Sequence, residues 1–121
     1  MTDTPQDTAV DSEIVAAFQM MWDSFPHPVM LLKKTREVVA ANKAARDKGV
    51  STKLKCFQLG GRDEVHEGCK ANKAVEEGVA QRTVAHNRET NRVMDAYWLP
   101  VAAGQDLYLH FAISIDLDRS T

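Results

Sequence analysis

Between Leu107 and Asp118 the chain alternates without a break. Leu107, Leu109, Phe111, Ile113, Ile115 and Leu117 are interleaved with Tyr108, His110, Ala112, Ser114, Asp116 and Asp118. Successive side chains of a strand point to opposite faces, so this pattern reads as an extended strand with one buried face. Two further strand candidates lead into it, Val79–Arg88 and Arg92–Val101, separated by Glu89-Thr90-Asn91 and followed by a turn at Ala103-Gly104-Gln105. Near the other end, the apolar run Val29-Met30-Leu31-Leu32 and the segment Glu37–Ala41 flank the polar break Lys33-Lys34-Thr35-Arg36 and read as a hairpin.

Helical spacing fills the gaps. Ile14, Val15, Phe18, Met21, Trp22 and Phe25 form one apolar stripe, with Asp11 or Ser12 as N-cap and Pro26 and Pro28 as stops. Asn42 caps a short segment through Ala44, Ala45 and Arg46 that ends at Gly49, and Ala71–Glu77 is closed by Gly78. Val50–Lys70, with Gly60-Gly61 and both cysteines, reads as a long loop. The order predicts an α+β domain, an antiparallel sheet with helices over one side. Residues 1–10 read as a disordered leader, 11–25 as an amphipathic flanking helix and 26–118 as the domain proper.

A chain of 121 residues has room for about one domain, and 44% hydrophobic content is enough for a core without covalent staples. Fifteen basic against 17 acidic side chains leave a formal charge of −2, which gives no electrostatic case for nucleic acid or an acidic membrane. No apolar run approaches the roughly 18 residues of a membrane span, and the polar start is unlike a signal peptide. The expected location is the cytoplasm, with Cys56 and Cys69 as reduced thiols.

The segment Phe25-Pro26-His27-Pro28-Val29-Met30-Leu31-Leu32 resembles the opening of the PAS sensor domains, where a helix ends and the first strand begins. Glu37-Val38-Val39-Ala40-Ala41-Asn42-Lys43-Ala44-Ala45 is similar to the family's second strand running into an Asn-started helix, and Ile113-Ser114-Ile115-Asp116-Leu117 to its end strand. The resemblance covers about Ser24 to Asp118. It implies a five-stranded antiparallel sheet with helices on one face, a ligand cavity between them and an N-terminal flanking helix. It also implies a sensory or regulatory role in signal transduction, alongside an effector domain or a partner protein. The flanking helix, through Ile14, Val15, Phe18, Met21 and Trp22, would either cap its own sheet or join a homodimer.

Candidate chemistry is sparse. Cys56, His66 and Cys69 form C-x9-H-x2-C, thiolate and imidazole being the ligands zinc and iron prefer, although three ligands are one short of a closed zinc site. Similar bacterial PAS-like sequences carry a C-x2-C pair here, and His66 stands in place of its first Cys. Lys55-Cys56-Phe57-Gln58-Leu59 lacks the Asn and Arg of the flavin-reactive light-oxygen-voltage motif, and His66 and His86 fit an axial haem ligand by location only. No phosphate loop, nucleophile elbow or His-Glu-x-x-His motif is present, so the domain is expected to be non-enzymatic. The expected function is binding of a small apolar ligand or a cofactor of unspecified kind, in a pocket beneath the helices lined by Leu107, Leu109, Phe111 and Ile113. The alternatives are a ligand-free dimerisation module and a metal or redox switch at Cys56, His66 and Cys69.

Overall fold

In the computed structural model, residues 12–52, 69–101 and 106–117 are described. The elements are α1 (Ser12–Trp22), β1 (Val29–Lys33), β2 (Val38–Ala41), α2 (Lys43–Asp47), α3 (Ala71–Glu77), β3 (Gln81–Asn87), β4 (Arg92–Pro100) and β5 (Leu107–Asp116). The expected leader, Cys56, His66, Gly60-Gly61 and the Ala103-Gly104-Gln105 turn lie outside the described residues. The stripe expected to run to Phe25 leaves the helix at Trp22, since the residue before Pro26 is pushed out of helical geometry. Helix α3 ends as the sequence requires. Gly78 takes a left-handed φ of 66° and returns its N–H to the Ala74 carbonyl at 2.9 Å.

The five strands form one antiparallel sheet in the order β2-β1-β5-β4-β3. The alternating segment, β5, is its central strand. On one side β5 pairs with β1 from Val29↔Phe111 to Lys33↔Leu107, and on the other with β4 from Arg92↔Asp116 to Pro100↔Tyr108.

Both faces of this sheet are covered where β1 and β5 meet. On one face Leu32, Val38, Trp98 and Tyr108 pack with Ala71 and Ala74 of α3, joined by Met30, Cys69, Val75 and Ala96. On the other, Phe18 of α1 packs with Val29, Leu31, Ala40 and Leu107, joined by Ile14, Val15, Trp22, Phe25, Leu109 and Phe111. Each fully buried aliphatic side chain here contributes about 1.5–3 kcal/mol. No helix among the described residues is long and apolar enough to cross a membrane.

Candidate functional site

Asn42 is the joint between the helices and the sheet. It is wholly buried, and its extended backbone places the side chain as the N-cap of α2. Oδ1 accepts from Ala45 N–H at 3.0 Å and from Val29 N–H at 2.9 Å. Nδ2 donates to the carbonyls of Trp22, Phe25 and His27 at 3.0, 3.3 and 2.9 Å. Two amide hydrogens serve three carbonyls, so one is shared. One turn further along α2, Arg46 grips the same end of α1. Its two terminal nitrogens reach the two Asp23 oxygens at 3.2 Å each, and Nη1 also reaches Gln19 Oε1 at 3.1 Å and the Ala41 carbonyl at 2.7 Å. The last turn of α1, the linker to β1 and the start of α2 are thereby tied at one point.

The face of the sheet turned to α3 carries one aromatic stack and several polar groups. Trp98 stacks on His110, with ring centroids 4.8 Å apart and planes within 17°. His110 Nδ1 lies 2.8 Å from the Tyr97 carbonyl, and since a carbonyl only accepts, Nδ1 carries the hydrogen. Beside them on the same face, the Thr83 hydroxyl is buried without a hydrogen-bond partner. A buried polar group left unpaired is costly. Toward the β3–β4 hairpin this face opens into a cleft of about 790 Å³ that includes Ala85, Arg92, Met94 and Ser114.

The opposite face is apolar near α1 and charged further out. Phe111 sits among Trp22, Phe25 and Tyr97, at 5.8, 5.6 and 5.2 Å between centroids. Beyond it Arg82 holds Asp95 with Nε–Oδ1 at 2.7 Å and Nη2–Oδ2 at 3.0 Å, its guanidinium 5.3 Å from the Tyr97 ring centre. The hydrogen bond from Arg82 holds the Asp95 carboxyl below its ordinary range, helped by the Arg82 charge and the Tyr97 hydroxyl and opposed by desolvation. A depressed carboxyl pKa stabilises the fold above the ordinary value of 3.8 and stops doing so as pH falls through the folded-state value. In thermal melts, therefore, the wild type should exceed Asp95→Asn at neutral pH and the gap should close below pH 3.8.

The four residues expected to line a pocket beneath the helices, Leu107, Leu109, Phe111 and Ile113, all lie on the α1 face. Register fixes this, since residues of one parity on β5 share a side and Leu107 is buried against Phe18. The face under α3 is formed instead by Tyr108, His110, Ala112 and Ser114, the set that the alternation assigned to the outside. Leu109 and Val101, with Leu31, do border a small apolar hollow of about 220 Å³ under α1. Of the flanking-helix residues, Ile14, Val15, Phe18 and Trp22 pack on the chain's own sheet, while Met21 borders the hollow and is 66% exposed, beside Met20 at 80%. Of the sulfur and imidazole trio, Cys69 is a free thiol half-buried against the α3 core. Cys56 and His66 fall outside the described residues. His86 is exposed on β3, its Nε2 2.8 Å from Asn91 Oδ1.

A five-stranded antiparallel sheet with small helices over one face and an N-terminal helix over the other is a PAS-like α+β fold. Solved structures share it. A sensory box sensor histidine kinase from Vibrio cholerae superposes with a TM-score of 0.61 at 8% identity, over 89% of this chain and 98% of that one. An RNA-binding light-oxygen-voltage receptor gives a TM-score of 0.56 at 17% identity, over 96% of this chain and 37% of the receptor. At these identities the likeness is one of fold alone. No family model and no curated protein matches the sequence.

Proposed function

We propose that this chain is a sensory signal-transduction domain, non-catalytic itself, that binds a small ligand on the sheet face beneath α3. In this reading residues 26–118 sense, residues 11–25 form the flanking helix, and an effector domain or partner protein in the cytoplasm receives the signal. The observation that carries it is the buried, unpartnered Thr83 hydroxyl beside the Trp98–His110 stack, on a face that opens into the cleft. A ligand that favours one arrangement of α3 against the sheet shifts the population toward it. The joint at Asn42 and Arg46 then carries the change to α1, because α2 and the end of α1 share its hydrogen bonds.

Native mass spectrometry of the purified protein tests this. The expected result is a small-molecule adduct that disappears in Ala112→Phe, which fills the α3 face, while circular dichroism stays unchanged. A bare mass in the wild type, together with no melting shift across a metabolite screen, would overturn it. The exposure of Met20 and Met21 favours a second role for α1, pairing with another copy of the chain. Sedimentation of the same sample then gives a dimer mass that Met20→Lys with Met21→Lys halves; a monomer in the wild type removes that role.

A further inference from the structure

Arg36, in the turn between β1 and β2, breaks two local rules at once. Its φ of 81° lies in the left-handed region, where a residue with a Cβ is strained and glycine is the usual occupant. Its side chain is also almost entirely enclosed, at 5% exposure. Arginine is rarely so buried unless a carboxylate pairs with it. Here none of the ion pairs among the described residues includes Arg36. Nη1 donates to the Lys34 carbonyl and, at 3.0 Å, to Asn72 Oδ1, while Nε is buried with no partner at all. Neutral acceptors satisfy two directions of the guanidinium but leave its charge uncompensated.

The surroundings show where a counter-charge can enter. Lys34, Thr35, Arg36, Asn72 and Asp106 border an open cleft of about 460 Å³. Lys34 is already paired with Glu76 at 2.6 Å, whereas no carboxylate among the described residues lies within ion-pair distance of Arg36. Thr35 and Asn72 add a hydroxyl and an amide that donate hydrogen bonds. Asp106 adds a negative rim that opposes anions, and opposes a dianion more than a monoanion.

We propose that this cleft is a binding site for a small monocarboxylate, whose oxygens supply the counter-charge Arg36 lacks. The planar guanidinium fork matches a carboxylate in geometry as well as sign. A strained arginine at a position where glycine would sit without strain is then accounted for by its side chain. The site is separate from the Thr83 face and does not depend on the sensory reading.

Thermal melts in sodium acetate against sodium chloride at equal ionic strength test the site, with sodium phosphate as a third arm. Wild type is expected to gain about 4 °C in acetate at ten times its Kd, saturating, with no gain in chloride. Arg36→Gly suits the turn's backbone and should fold but lose the acetate-specific gain. Asp106→Asn, which removes the opposing rim charge, should reach the same gain at lower acetate. An equal gain in chloride, or an undiminished gain in Arg36→Gly, overturns the site. A phosphate gain exceeding that of acetate overturns the carboxylate assignment. Should Arg36→Gly not fold, an acetate response in Asp106→Asn no stronger than wild type decides against the proposal.

Discussion

Replacing Asn42 with alanine is expected to destabilise the domain by about 3–5 kcal/mol, a large share of the roughly 5–15 kcal/mol of a domain. Loss of the α2 cap accounts for about 1 kcal/mol. The rest comes from the groups left behind, the Val29 N–H on one side and the carbonyls of Trp22, Phe25 and His27 on the other. The Trp22 carbonyl keeps the Phe25 N–H at 3.0 Å, but the others lose the wholly buried side chain that met them, and such groups cost about 1–3 kcal/mol when water cannot reach them. The melting temperature should fall by 10 °C or more. Asn42→Asp separates the two halves of the role. It keeps both acceptor bonds but sets a carboxylate against three carbonyl oxygens, so it should rescue little of the loss at neutral pH. A drop below about 1 kcal/mol in Asn42→Ala would show that the joint does not hold α1 and α2 together.

Trp98→Ala should have the next largest effect, about 3–5 kcal/mol, from the cavity it leaves beneath α3. Trp98 is 3% exposed, packs with Ala71, Ala74 and Tyr108, and covers the His110 ring. Because the two cores lie on opposite faces, the damage should be one-sided. Hydrogen exchange should speed in α3 and in the paired strands β3 and β4 before it speeds in α1. Phe18→Ala is the mirror experiment, since Phe18 is buried only against the other face. It should release α1 while leaving α3 protected. Equal acceleration of both helices in both variants would mean that the two faces unfold as one unit.

The strands were legible because their period is two and their partners are of similar length. From Leu107 to Asp116 the alternation marks β5, and the Lys33–Arg36 break marks the first hairpin. Which face carries the interesting chemistry was not legible. A strand at the centre of a sheet covered on both sides has no solvent face, so Tyr108, at 1% exposure, is as buried as its neighbour Leu107. Polar-looking His110 and Ser114 therefore read as outward when they lie toward α3. Asn42 was recognisable as a helix cap because that role is local. Its reach back to Trp22, Phe25 and His27 depends on where the chain returns in space, which no local pattern encodes. Arg36 was hidden for the same reason. In sequence it is one of a run of charged turn residues, and only folding shows that its charge is enclosed without a carboxylate.

The strand order places β5, the last of the sheet's five strands in chain order, between the two hairpins that precede it. Until that segment leaves the ribosome, β1–β2 and β3–β4 are separate pieces, each with an unpaired edge beside apolar side chains. Val29 and Leu31 cannot meet Phe111 and Leu109 before then. A nascent chain thus carries both hairpins before it has its central strand, and closes both edges once β5 follows. High sequence separation between those pairs makes that step slow relative to hairpin formation, and the waiting hairpins are the stage at which aggregation or a chaperone would act on it.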